Sequence, residues 1–187
     1  VQFGTVESAD LSGDHPKLIV DGKEIETQTL IIATGAGHRH LGLENEKKLE
    51  NKGVTYCATC DGALPMFRDK PLVVVGGGDS ACEEATYLTR FGSKVYLIHR
   101  RDELRASKIM AERAVNHDKI EMVWDTVVTE IHGVEDDEVT GVQLKNTKTG
   151  EESRLDCAGV FVAIGHVPNT QIFTGHIDMD EAGYVLP

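Results

Sequence analysis

Apolar residues recur in three rhythms along the chain, and each predicts a different kind of element. Near the start the pattern is short and alternating: residues 2–8 read as a loose strand, and 17–20 and 23–25 flank an Asp21-Gly22 turn as a hairpin. Residues 29–33 form a short apolar run that predicts a buried strand, ending in Thr34-Gly35-Ala36-Gly37. Glycine there lets the chain turn sharply or come close to a ligand. The polar stretch 44–52 reads as surface linker or a short helix.

The rhythm changes at about Pro71. Residues 72–75 are continuously apolar, as a strand buried on both faces requires, and 80–91 carry Ala81, Ala85 and Leu88 on one helical face. Gly92 stands where a helix C-terminus often ends. Residues 94–98 repeat the buried-strand pattern. Strand, helix and strand at this spacing make a βαβ unit, hence parallel strands joined by a right-handed crossover. A second helix is predicted over 106–116, followed by strands near 120–124 and 127–131. Residues 139–145 and 152–155 then read as a hairpin across Thr149-Gly150, and 160–163 return as a buried strand ending at Ile164-Gly165. The fold class is α/β: a Rossmann-like parallel sheet plus a β-meander, flanked by strands of a second domain.

Composition narrows the function classes. Hydrophobic residues make up 40% and charged residues 27% of the 187, the balance of a globular chain. No apolar run approaches the roughly 20 residues a membrane span needs, and no basic start with an apolar core reads as a signal peptide. The expectation is a cytoplasmic protein without membrane contact. A formal net charge of −12 opposes nucleic-acid binding and means that an anionic cofactor needs a local basic island.

Such an island follows the βαβ turn. Gly76, Gly78 and Ala81 form Gly-x-Gly-x-x-Ala, with Gly77, Asp79 and Ser80 between them, directly after a strand and at a helix start. Small residues allow the tight turn and close approach of a pyrophosphate, which meets free N–H groups and the positive end of the helix dipole. An NAD site usually has an acid about 20 residues on, to hold the ribose 2′-hydroxyl. This chain has His99, Arg100 and Arg101, then Arg105. Guanidinium groups chelate phosphate and an acid would repel it, so NADPH is preferred over NADH. The competing reading is a solvated charge run, since Asp102 and Glu103 sit among the arginines.

Of four cysteines, only Cys57 and Cys60 are close in sequence. Two intervening residues let the sulfurs meet in one turn and cycle between dithiol and disulfide. Asp61 is then the candidate to manage protons, provided its surroundings raise its pKa toward working pH. Half a zinc site and a pair of structural thiols are the other readings. Zinc usually draws its thiolates in two pairs, whereas Cys82 and Cys157 stand alone and read as small core residues.

Taken in order, Cys57-Ala-Thr-Cys60-Asp61-Gly62, Gly76-Gly-Gly-Asp-Ser-Ala81, His99-Arg-Arg101 and Ala163-Ile-Gly-His-x-Pro-Asn169 resemble the low-molecular-weight thioredoxin reductases over essentially the whole chain. The resemblance implies an NADPH domain inserted in an FAD domain: 1–39 and 167–187 on the FAD side, and 40–166 as the NADPH domain carrying the redox pair. It implies electron flow from NADPH through FAD to the cysteines and on to thioredoxin. Cys60 would face the flavin, Cys57 would exchange with thioredoxin, and Asp61 would give and take the proton. Ile164 and Gly165 join the NADPH set, and Thr34 and Gly35 are the candidate FAD contacts. The resemblance also implies a homodimer in which the NADPH domain swivels between two poses.

It further implies a glycine-rich FAD unit before residue 1 and a closing flavin contact after residue 187. The 187 residues alone are therefore expected to bind FAD poorly. Two other functions share these motifs: a peroxide-reductase-type flavoprotein that feeds a peroxidase, and a nucleotide-binding module without turnover.

Overall fold

The computed structural model describes residues 1 and 3–186 and divides into two compact units, Val1–His38 with His166–Pro187, and Arg39–Gly165. The first unit opens with an antiparallel meander of β1 (Val6–Asp10), β2 (Lys17–Val20) and β3 (Lys23–Glu26). Asp21 and Gly22, with φ of 48° and 73°, make the two-residue turn between β2 and β3, where a positive φ at both positions matches the strands' twist. The short strand β4 (Ala36–His38) closes this first part.

In the second unit β5 (Val54–Thr55) leads into a one-turn helix, α1 (Ala58–Asp61). Then come β6 (Pro71–Gly76), α2 (Asp79–Leu88), β7 (Lys94–Ile98), α3 (Lys108–Val115) and β8 (Ile120–Val123). Strands β9 (Thr126–His132), β10 (Gly141–Asn146) and β11 (Glu152–Asp156) form an antiparallel meander, and β12 (Gly159–Ala163) returns to the main sheet. That sheet is five-stranded and parallel, in the order β5-β12-β6-β7-β8. It is the Rossmann-like α/β arrangement that the strand–helix–strand pattern predicts. The chain then re-enters the first unit through β13 (His166–Pro168), paired antiparallel with β4.

Alternation along β6 shows why its run is apolar throughout. Leu72 and Val74 face α2 and α3 together with Ala81, Ala85, Leu88, Val95, Leu97 and Phe161. Val73 and Val75 face the meander with Val128, Ile131, Val142, Leu144, Val160 and Val162. Covered on both faces, a strand has no solvent side on which to place polar residues. Each fully buried side chain of this size contributes about 1.5–3 kcal/mol.

Several expectations need correction. Residues 29–33 form no strand, and Ile31 is 90% exposed. An apolar run becomes a strand only where another strand is at hand to take its backbone hydrogen bonds, and none among the described residues pairs with it. The first strand is Val6–Asp10 rather than 2–8, and Gln2 lies outside the described residues. Stretch 44–52 is not simply surface: Glu46 and Leu49 are buried within it. Helix α2 stops at Leu88, and Gly92 instead allows a close passage, since a Cβ there would meet the Leu72 side chain at 3.0 Å.

Candidate active site

The glycine turn connects β6 to α2, with Gly78 as the helix N-cap. Two of its glycines are dictated by approach. A Cβ on Gly76 would lie 2.4 Å from the Ala163 carbonyl oxygen on β12, and one on Gly77 would lie 2.2 Å from the His99 ring. The turn opens into a cleft of about 550 Å³, a volume within the usual range for small-ligand sites. Its walls include Gly76, Gly77, Gly78, Ser80, His99, Arg100, Arg105, Ile164 and Gly165. Ten of the expected nucleotide residues are thus near one another around the helix start, nine of them on the cleft wall and Ala81 fully buried beneath the turn.

The other two are turned to different tasks. Asp79 accepts hydrogen bonds from the backbone N–H (2.7 Å) and hydroxyl (2.9 Å) of Ser107, tying the start of α2 to the loop that follows β7. Arg101 is exposed and is not part of the cleft wall. Nearby Asp102 pairs with Lys148 at 2.7 Å, and Lys148 also reaches Asp125 at 3.0 Å, so this acid is neutralised by a lysine. Arg100 and Arg105 are exposed residues on the wall, and the Arg105 backbone N–H donates to the Gly77 carbonyl at 2.7 Å. That bond holds the arginine loop against the glycine turn.

His99 is buried, its Nδ1 lies 3.0 Å from the Gly76 carbonyl oxygen, and its ring stands edge-on to Trp124. Burial pushes its pKa below the usual imidazole value, with the Glu103 and Gly76 carbonyls pulling the other way. In this position His99 buttresses the glycine turn.

The redox turn is built on α1. Cys57 and Cys60 are joined as a disulfide, with Cα atoms 5.3 Å apart. Cys57 is the N-cap, its Sγ accepting the Cys60 N–H at 3.2 Å and lying 3.4 Å from Thr59 Oγ1. Cys57 is half-buried and Cys60 exposed, so the pair is open to a reactant. Asp61 Oδ2 accepts the Thr55 hydroxyl, and Thr55 Oγ1 accepts the Cys57 N–H at 3.2 Å. Thr55, buried in β5, is therefore the bridge between the backbone of Cys57, the candidate nucleophile, and the candidate proton carrier.

Sequence reasoning did not single out Thr55, and a threonine two residues before a cysteine carries no signal of its own. It also missed Glu84. Helix α2 packs against α1, and burial raises the Glu84 pKa to about 7, against the stabilising N–H of Ala58 at the start of α1. Cys82 and Cys157 are buried free thiols, and burial pushes Cys157 up to about 12, which keeps it inert.

Thr34 and Gly35 lie in the first unit. Their carbonyl oxygens accept from the side-chain amide (3.1 Å) and backbone N–H (2.9 Å) of Asn169, so two sequence motifs far apart in the chain meet there.

Residues 3–187 match the family model for pyridine nucleotide-disulphide oxidoreductases. A thioredoxin reductase of Mycolicibacterium smegmatis is 52% identical over 180 residues, covering 96% of this chain and 57% of that protein. Thioredoxin reductase 1 of Saccharomyces cerevisiae is 47% identical over 97% of this chain and 58% of its own length. The crystal structure of Lactococcus lactis thioredoxin reductase superposes with a TM-score of 0.86 at 43% identity, covering 98% of this chain and 60% of that one. The chain thus spans between half and two thirds of the length of these relatives. With its parallel sheet, glycine turn and Cys57–Cys60 disulfide in one unit, the chain belongs to the pyridine nucleotide-disulphide oxidoreductase family.

Proposed function

We propose that this chain is the NADPH-binding and dithiol-bearing part of a thioredoxin-disulfide reductase. The observation that carries the reading is the Cys57–Cys60 disulfide, open to a reactant and built into the same unit as the basic dinucleotide cleft. In that cleft the free N–H groups at the start of α2 receive the pyrophosphate, and Arg100 and Arg105 select the 2′-phosphate. On this reading residues 40–166 are the NADPH domain, and the flanking segments, with Thr34 and Gly35, belong to the FAD side.

When bound, FAD would supply the two-electron relay between the nicotinamide and the disulfide. The residues of the chain do the rest. Two electrons and a proton open the Cys57–Cys60 bond to one thiolate and one thiol. Cys57, as thiolate, attacks the disulfide of thioredoxin and displaces one of its sulfurs. Cys60, as thiolate, then attacks Cys57 in the mixed disulfide, re-forming the Cys57–Cys60 bond and releasing the thioredoxin dithiol. Asp61, oriented by Thr55, holds and returns the proton. The same proposal takes the whole protein to be a cytoplasmic homodimer.

The test is turnover of the whole protein. Purified with its flavin, it should oxidise NADPH in the presence of thioredoxin, and Cys57→Ser and Cys60→Ser should each abolish this while leaving NADPH binding intact. Turnover with a peroxidase partner alone, or none with any disulfide, would refute the assignment.

A further inference from the structure

The redox turn rests on a carboxyl group with no part in the exchange proposed for its cysteines. Helix α2 packs against α1, and Glu84 of α2 accepts the N–H of Ala58, the fully buried residue that opens α1 directly after Cys57. The Glu84 Oε2 atom is buried without a hydrogen-bond partner among the described residues. An ionised carboxylate left in that state is costly, and the neutral acid is far less so. Burial accordingly raises the Glu84 pKa to about 7, while the Ala58 N–H lowers it and the adjacent Glu83 raises it.

The basic groups around Glu84 are engaged elsewhere. Strands β6 and β12, which pack on α2, carry no titratable side chain. On β7, Lys94 pairs with Glu121 at 3.1 Å and Tyr96 faces the meander. On α3, Lys108 pairs with Glu112 at 3.9 Å and Arg113 is exposed. On α2 itself Asp79 is bonded to Ser107 and Cys82 is a buried thiol. Arg90, past the end of α2, lies over the Tyr87 ring at 5.3 Å. The remaining titratable groups on this side are those of the redox turn: Cys57, Cys60 and Asp61, the last held by Thr55.

Reducing the disulfide changes the charge of that turn. Two electrons and one proton convert a neutral Cys57–Cys60 link into one thiol and one thiolate. The new anion lies on the same short helix whose first N–H Glu84 uses, and a like charge nearby disfavours an ionised carboxylate. An ionised Glu84 then takes a second proton from water, so two electrons and two protons enter together.

We propose that Glu84 is a redox-linked proton site, taking up a proton as the Cys57–Cys60 disulfide is reduced and releasing it as the disulfide re-forms. The inference rests on the reading of the two cysteines as a redox pair. It makes the disulfide easier to reduce when Glu84 is neutral than when it is ionised.

The chain equilibrated with reduced and oxidised dithiothreitol from about pH 5.5 to about pH 8.5 tests this, the dithiol being counted by alkylation and mass. Glu84→Gln is locked in the neutral form. Its equilibrium constant should match wild type at the acid end and favour the dithiol about tenfold more at the alkaline end, as one nearby charge implies. Dithiothreitol ionises alike in both mixtures and cancels in the ratio. The infrared difference spectrum of wild type at about pH 7.5, dithiol minus disulfide, should gain a carboxylic-acid band that Glu84→Gln lacks. The wild-type band decides the point even where the variant fails to fold. A constant ratio across the range, or no such band in wild type, would overturn the proton site alone. A wild-type disulfide that does not exchange with dithiothreitol at any pH would overturn the redox reading and the inference with it.

Discussion

The Thr55 hydroxyl donates to the Asp61 carboxylate while its oxygen accepts the Cys57 N–H, so the proposed proton carrier and the backbone of the proposed nucleophile hang on one side chain. Asp61→Asn removes the carrier and should slow thioredoxin reduction by the whole protein by about 10²–10⁴-fold, the usual weight of a positioned general acid–base. Thr55→Val keeps the carboxylate but frees it to wander, and should cost on the order of tenfold. Rapid-mixing measurement of dithiol–disulfide exchange separates the two. Equal rates in Thr55→Val and wild type would show that Asp61 does not depend on this bond.

Placement within the arginine cluster makes a graded prediction. Arg100 and Arg105 line the cleft. On the proposed reading Arg100→Ala and Arg105→Ala should each weaken NADPH by about 1.5–3 kcal/mol while changing NADH little, because each would remove a charge-assisted contact to the 2′-phosphate. Arg101→Ala, off the cleft wall, should have the smallest effect of the three. Fluorescence titration with both nucleotides distinguishes a 2′-phosphate site from a solvated basic face, which would lose both equally.

Glu84 gives a pH signature. Its folded pKa, about 7, is raised above the ordinary 4.5, so the folded state holds this proton more tightly than the unfolded chain does. The associated stabilisation is full below about pH 4.5 and is lost as pH climbs through about 7. Allowing for the group's partial exposure, the term is on the order of 1–2 kcal/mol. Glu84→Gln should flatten this part of the stability profile, as followed by chemical denaturation from acid to neutral pH. A profile with the same slope in both proteins would place the proton elsewhere.

Gly77→Ala probes the glycine turn by volume alone. The new methyl group would meet the His99 ring, which the Gly76 carbonyl pins in place, so the turn itself must yield. A loss of about 1–3 kcal/mol in stability is expected from such overpacking, together with weaker nucleotide binding. A variant as stable as wild type would mean that His99 swings aside without cost.

Legibility in the sequence followed locality. The β6–α2–β7 segment could be read because its burial on both faces and its glycine turn are written into adjacent residues. Residues 29–33 carry the same apolar signal but form no strand, since a ladder depends on a neighbour that periodicity does not reveal. Glu46 looked like surface charge. Its burial rests on N–H groups of residues 41 and 42 that only the folded loop aims at one point. The arginines were visible as a cluster, but which of them reach the cleft is decided by how Ser107 and Arg105 moor the loop to Asp79 and Gly77. Thr55 and Glu84 act through packing between segments, which leaves no trace at either position alone.

Because Cys57 Sγ is both half of the disulfide and the cap that receives the Cys60 N–H, electron transfer and local backbone order share one atom. A thiolate accepts a hydrogen bond more strongly than a disulfide sulfur does. Adding electrons should therefore tighten this turn rather than loosen it. The amide of Cys60 becomes a spectator that records the oxidation state without joining the chemistry, and its hydrogen-exchange rate offers a label-free count of reduced molecules.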